Sequence, residues 1–216
     1  MAHMNRKSVG KFWSIPKKGT KYVAVASYNK YDSIPLVVVM RDILKIVRNK
    51  KELKGLLNEK QVLINHKEIR ETNYPINLFD VINFANKNFK ASLSEKKKMI
   101  FEEVSDKEAE TKIFKIINKK LLRKGKIQLN LMQGKNIISD EKAKTGDSVI
   151  LNLKENKIVK ILSMEKGKTG FALKGKHMGS IGEIVDIMER GGKSIAKIKS
   201  KDGNINVWIK NIIVIK

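Results

Sequence analysis

The run Gly175-Lys176-His177-Met178-Gly179-Ser180-Ile181-Gly182-Glu183-Ile184-Val185 decides how the last part of this 216-residue chain folds. Three glycines at intervals of four and three favour bent backbone over a helix, because each gives up more conformational freedom in a helix than any other residue. Gly182 then opens the alternating stretch Glu183-Ile184-Val185-Asp186-Ile187, the pattern of a strand with one covered face. A strand-loop without bulky side chains lets a phosphate backbone come close. A tight turn in a small barrel that binds nothing has the same pattern.

Composition narrows the partner's chemistry before any motif does. The chain carries 46 Lys+Arg against 22 Asp+Glu, a formal charge of +24, and the excess is +9, +4, +3 and +8 across residues 1–50, 51–100, 101–150 and 151–216. Charge of one sign spread over a whole body repels itself and finds relief against a polyanion. An anionic bilayer surface is one such partner, but no apolar stretch approaches the roughly 20 residues of a spanning helix. The longest, Ile34 to Met40, ends at Arg41-Asp42. No secretion signal is expected, since Met1 to Lys21 holds basic residues and no apolar core before Trp13. The absence of cysteine excludes disulfides, thiolate metal sites and thiol nucleophiles, and a cytoplasmic address is expected.

Residues 1–30 read as a basic extended arm in which Arg6, Lys7, Lys11, Lys17, Lys18 and Lys21 are interleaved with Phe12, Trp13 and Tyr22. Rings among cations suit base stacking together with phosphate neutralisation. They suit equally well a terminal strand that uses Trp13 and Tyr22 as core anchors. From Ser33 the period turns helical: Leu36, Met40, Ile43, Leu44 and Val47 recur at threes and fours behind Pro35, while Arg41, Lys45 and Arg48 fall on a separate face. A second helix follows, with Asn49 as its cap, Glu52 three residues on, and Leu53, Leu56 and Leu57 as its buried side.

Val62-Leu63-Ile64 then reads as a strand, Asn65-His66 as a tight turn and the segment through Ile69 as its return. The module closes near Asp80 to Phe84, and the polar, lysine-rich residues 86–110 read as a connection. Short strands recur beyond it: Ile113 to Ile117, Ile127 to Leu131, Ser148 to Leu151 and Lys157 to Leu162, with turns at Gln133-Gly134 and Thr145-Gly146-Asp147. Such spacing predicts a small all-β domain. Lys119 to Lys126 is the densest cationic stretch of the chain, with Arg123, Lys124 and Lys126 as its candidate contacts.

Lys11-Phe12-Trp13-Ser14-Ile15-Pro16 and Ser33-Ile34-Pro35-Leu36-Val37-Val38-Val39-Met40-Arg41-Asp42-Ile43-Leu44 together resemble the opening signature of the archaeal and eukaryotic small-subunit ribosomal protein family S-four-e. The helix pair followed by Asn58 to Lys67 is similar to the S-four RNA-binding motif, in which the helices and following turn lie on rRNA. That resemblance implies Arg41, Lys45, Arg48, Lys51 and Lys67 as RNA contacts, beside Lys11, Trp13, Lys17 and Lys18 of the arm. The chain departs from the motif at Gln61 and His66, where glycine is common. His66 is therefore expected to hold a left-handed backbone that an Asn-Gly turn adopts more easily.

Gly146-Asp147-Ser148-Val149 and Lys160 to Gly179 resemble the family's central domain running into a KOW motif, a segment of SH3-like barrels, and the glycine run matches at Gly175, Gly179 and Gly182. Lys174, Lys176 and His177 then stand at its RNA- or protein-facing edge. The implied architecture is α+β: a basic arm over residues 1–30, a helical S-four-like module over 31–86, a connection and all-β central domain over 87–168, and a C-terminal SH3-like KOW barrel over 169–216. The implied partners are small-subunit rRNA and neighbouring ribosomal proteins, without cofactor, metal, small-molecule substrate, membrane or homo-oligomer.

Enzyme readings fare poorly against the residues. Gly167-Lys168-Thr169 is similar to the end of a phosphate-binding P-loop, but Leu162 occupies the required earlier glycine position. His3, His66 and His177 have no metal-ligand spacing, and Asp80 and Asp147 lie in turn-like contexts that suit backbone capping. Two alternatives keep RNA or transcription as the theme: an accessory of an RNA-modification enzyme, since S-four-like domains also position RNA for pseudouridine synthases, and a KOW-type transcription factor.

Overall fold

Strands outweigh helices in this chain, an α+β protein whose computed structural model describes residues 3–94, 96–139, 143–200 and 203–216, apart from the side chains of Lys124 and Lys193. Two compact units divide it, residues 1–110 and 111–216. Every strand pairing among the described residues is antiparallel.

In the first unit the main sheet runs, from edge to edge, Lys67–Glu68, Val62–Ile64, Val81–Phe84, Lys87–Leu93 and Met99–Val104. The last two strands occupy much of the predicted connection. Ala91, Leu93 and Met99 turn inward on one face and Asn88 is buried on the other, in a sequence rich in lysine, glutamate and serine whose polar composition hid the strands. The Asn65-His66 turn joins Ile64 to Lys67 with left-handed φ angles of 53° and 60°. These are the angles of the tight hairpin turn that matches strand twist. The left-handed backbone at His66 is compensated locally: its N–H donates to Asn83 Oδ1 at 3.4 Å and its Nε2 lies 3.2 Å from the Ala109 carbonyl oxygen. Asn65 donates to Asp80 Oδ1 at 2.6 Å and accepts from the Val81 N–H at 3.0 Å.

The predicted long amphipathic first helix is shorter and more deeply buried. Leu36–Val38 forms one α turn that widens over Val39–Ile43, where Leu44 N–H donates to the Val39 carbonyl five residues back at 2.8 Å. Every residue from Ile34 to Met40 is buried. A helix apolar on all sides has no solvent face to carry charge, and the run Val37-Val38-Val39 is what closes off that face. Lys45 ends the segment in a left-handed conformation, φ 56°, and Val47 returns to the core. The second helix, Lys50–Asn58, forms as its capping pattern predicts: Asn49 Oδ1 accepts from the Glu52 N–H at 2.9 Å, and Glu52 reaches back to the Arg48 N–H at 2.7 Å. Leu53 and Leu57 are its buried residues.

The amino-terminal arm is tied down. His3–Asn5 pairs with Tyr22–Ala24, Met99 N–H donates to the Phe12 carbonyl at 2.8 Å, and Lys98 Nζ donates to the Trp13 carbonyl at 2.7 Å. Trp13 is 2% exposed and Tyr22 50% exposed, so only the tryptophan serves as a core anchor.

The second unit holds two five-stranded sheets. The first runs Asn136–Ser139, Ile127–Leu131, Thr111–Leu121, Ser148–Asn152 and Ile158–Leu162 around Phe114, Ile116, Leu129, Val149 and Leu151. The second runs Gly203–Trp208, Lys193–Ser200, Ile181–Arg190, Thr169–Ala172 and Ile212–Val214 around Ala172, Ile184, Ala196, Ile198 and Ile212. Polar groups stitch the two together: Val214 N–H donates to Ser148 Oγ at 2.8 Å, and the buried Lys115 ammonium donates to the carbonyls of Ile209 and Ile212.

Candidate nucleic-acid interface

Local folding decides which of the predicted cations remain at the surface. In the arm, Lys11, Lys17 and Lys18 are exposed, whereas the Trp13 ring is withdrawn into the core and cannot stack on a base in this fold. Arg6 organises the loop that presents Lys17 and Lys18. Its guanidinium donates to the Thr20 carbonyl at 2.7 Å, the Pro16 carbonyl at 2.8 Å and Thr20 Oγ1 at 3.0 Å.

Around the helix pair, Lys45, Arg48, Lys51 and Lys67 are exposed. They lie on the left-handed turn, on the entry to the capped helix, on its first turn and on the strand after the Asn65-His66 hairpin. Arg41 differs. Its Nε and Nη2 clasp the Asp42 carboxylate at 2.9 and 2.8 Å, and this partner raises the guanidinium pKa. A phosphate would have to compete with a carboxylate already seated in the fork.

In the second unit, Arg123 and Lys126 are exposed at a hairpin tip, while the side chain of Lys124 lies outside the described part of the structure. The cationic stretch is mostly strand: Lys119 to Leu121 end one strand, and Leu122 N–H donates to the Lys126 carbonyl at 2.8 Å to close the tip. Lys174 and Lys176 are exposed beside the half-buried His177, in a loop bent at Gly175 and Gly179 with φ angles of 95° and 88°. Gly182 has another role. A Cβ there would stand 2.2 Å from the Lys199 carbonyl oxygen on the adjacent strand, so its missing side chain admits a neighbouring strand and not a phosphate.

The two aspartates weighed as acid-base candidates are occupied by backbone. Asp80 is 2% exposed and accepts from the Asn77 N–H at 2.6 Å; Asp147 is 6% exposed and accepts from the Lys144 and Met164 N–H groups at 2.8 and 2.9 Å. Among the described residues, no group of three or more His, Asp or Glu is placed to hold a metal ion, and no helix is long and apolar enough to cross a membrane.

Two residues escaped the sequence reading. Trp208 is 50% exposed at the end of a strand whose Ile205 and Val207 face the core; the alternation Ile205, Asn206, Val207, Trp208 carries that signal. Lys115 lies among Phe114, Ile116 and Ile117, where a strand pattern does not reveal a buried ammonium. Desolvation lowers its pKa from 10.5 to about 8.

Residues 85–158 match the model of ribosomal family S4e. The small ribosomal subunit protein eS4 of Methanosphaera stadtmanae is 32% identical over 99% of this chain and 91% of its own length, and that of Methanocella arvoryzae is 33% identical over 99% and 93%. The crystal structure of the 30S ribosomal protein S4e from Thermoplasma acidophilum shares the fold, with a TM-score of 0.74 at 23% identity over 86% of this chain and 96% of that one. Identity above 30% carried along nearly the whole of both chains means that this protein belongs to ribosomal family S4e.

Proposed function

We propose that this protein is a structural, non-enzymatic constituent of the small subunit of the cytoplasmic ribosome that binds rRNA and, beside neighbouring ribosomal proteins, supports subunit assembly and translation. The observation that carries the reading is the excess of cations in both units: 22 Lys+Arg against 13 Asp+Glu in residues 1–110, and 24 against 9 in residues 111–216. Cations set on folded surfaces replace the counterions of an RNA backbone, and their release drives binding.

Within that reading, residues 31–86 act as an S-four-like RNA-binding module that the strands Lys87–Leu93 and Met99–Val104 complete. Lys45, Arg48, Lys51 and Lys67 contact phosphates around the helix–turn–helix and hairpin, and Lys11, Lys17 and Lys18 extend that surface. In the second unit a central β-domain is followed over residues 169–216 by an SH3-like KOW barrel, with Arg123, Lys126, Lys174, Lys176 and His177 at RNA- or protein-facing edges. Titration of the full chain against purified small-subunit rRNA across salt concentrations tests the reading. A linear fall of log affinity with log salt supports it, and salt-independent or undetectable binding contradicts it.

A further inference from the structure

The second unit contains a cleft of about 600 Å³ to which, of the predicted contacts, only Lys174 contributes. Its volume lies in the range of small-ligand sites, roughly 300–1,000 Å³. Trp208, Ile117 and Met132 supply an apolar wall, and the exposed Lys174 and Lys210 supply the charge; no Asp or Glu is among the described residues lining it. The wall is accessible, since Trp208 is 50% and Ile117 61% exposed.

The fold accounts for each part. Strand alternation buries Ile205 and Val207 and so turns Trp208 away from the core. Lys115 holds the carbonyls of Ile209 and Ile212, which fixes the short turn that carries Lys210 and Asn211 to the rim. Gly191 and Gly192 close the adjoining hairpin with φ angles of 57° and 68°, and a Cβ at Gly192 would meet no atom within 4 Å, so the backbone is open to a close approach.

A half-exposed indole that shares a cleft with Ile117, Met132 and the exposed Lys174 and Lys210 matches a nucleobase with its attached phosphate. We propose that this cleft receives one unstacked nucleotide of single-stranded RNA, its base against Trp208 and its phosphate between Lys174 and Lys210. The inference rests on the rRNA-binding reading and gives it a specific seat. An acidic peptide would meet the charge of the lysines but offers no planar group to the half-exposed indole.

The chain has two tryptophans, and Trp13 is buried, so quenching by a stacked base reports on Trp208. The full chain is titrated with an eight-nucleotide oligouridylate, with inorganic pyrophosphate and with polyglutamate, following tryptophan emission. The oligonucleotide is expected to quench the emission while pyrophosphate and polyglutamate do not. Trp208→Ala should weaken oligonucleotide binding roughly 5- to 100-fold, with Trp208→Phe recovering part of the loss and both variants keeping the wild-type melting temperature within a few degrees. Wild-type affinity in Trp208→Ala, or equal quenching by polyglutamate, would overturn the site. If wild-type protein binds small-subunit rRNA with a steep salt dependence but Trp208→Ala is indistinguishable from it, the cleft assignment alone fails. If wild-type protein does not bind rRNA at all, the ribosomal reading fails with it.

Discussion

The chain's two tryptophans show how the same side chain takes opposite roles in two regions. Trp13 lies in a basic arm between Lys11 and Lys17, yet it is 2% exposed and locked to the sheet through its own carbonyl and that of Phe12. Trp208 lies at the end of a strand with no run of lysines around it in sequence, yet it stands 50% exposed on the wall of a cation-lined cleft. Interleaving of rings and cations along the chain therefore does not locate a stacking surface. The covered face of the strand or loop does.

The comparison breaks most visibly in stability. Trp13→Ala should cost about 3–5 kcal/mol in urea unfolding, the range for emptying a large aromatic site in a core. Trp208→Ala should stay within about 1 kcal/mol of wild type, as an exposed position does. Equal losses at the two positions would erase the distinction between anchor and platform.

A smaller effect tests the frame beneath Trp208. Lys115→Met removes the donor from two buried carbonyls and should destabilise the protein by about 2 kcal/mol. The pH dependence has a definite sign. Lys115 is lowered from 10.5 to about 8 in the folded chain, so between pH 8 and 10.5 the unfolded chain holds more of this proton than the folded one. Stability from this group therefore rises with pH across that window. The gap in unfolding free energy between wild type and Lys115→Met should widen over the same interval; a constant or narrowing gap contradicts the burial.

The smallest effect concerns two arginines of the first unit. Arg41 is clasped by Asp42, whereas the Arg48 side chain is exposed and its backbone N–H is held by Glu52. Arg48→Gln should lower the salt slope of rRNA binding by about 0.7 to 0.9, one phosphate contact, and Arg41→Gln should leave it unchanged. The reverse order would place the RNA surface on the other side of the turn.

Much of the fold was legible because its signals are local. Asn49 and Glu52 marked the second helix, Asn65-His66 the left-handed hairpin, and alternating apolar residues the strands of the second unit. The illegible parts depend on tertiary surroundings. Spacing of Leu36, Met40 and Ile43 suggested a stripe, but the adjoining valines were also buried, and only packing reveals a helix enclosed on all sides. Residues 87–104 hid two strands behind polar composition because Asn88 is itself buried, donating to Asp106 Oδ1 at 2.6 Å. At the candidate interface, composition pointed to a polyanionic partner, while the pairing of Arg41, the burial of Trp13 and the exposure of Trp208 required the three-dimensional neighbours.

An rRNA-bound constituent of the small ribosomal subunit sediments with that subunit. Cell extract containing the full chain is run through sucrose gradients at moderate and then high salt, and the chain is followed across the fractions. The account predicts that it travels with small subunits at moderate salt and is released as salt rises. A protein that remains wholly at the top of the gradient under moderate salt would contradict it.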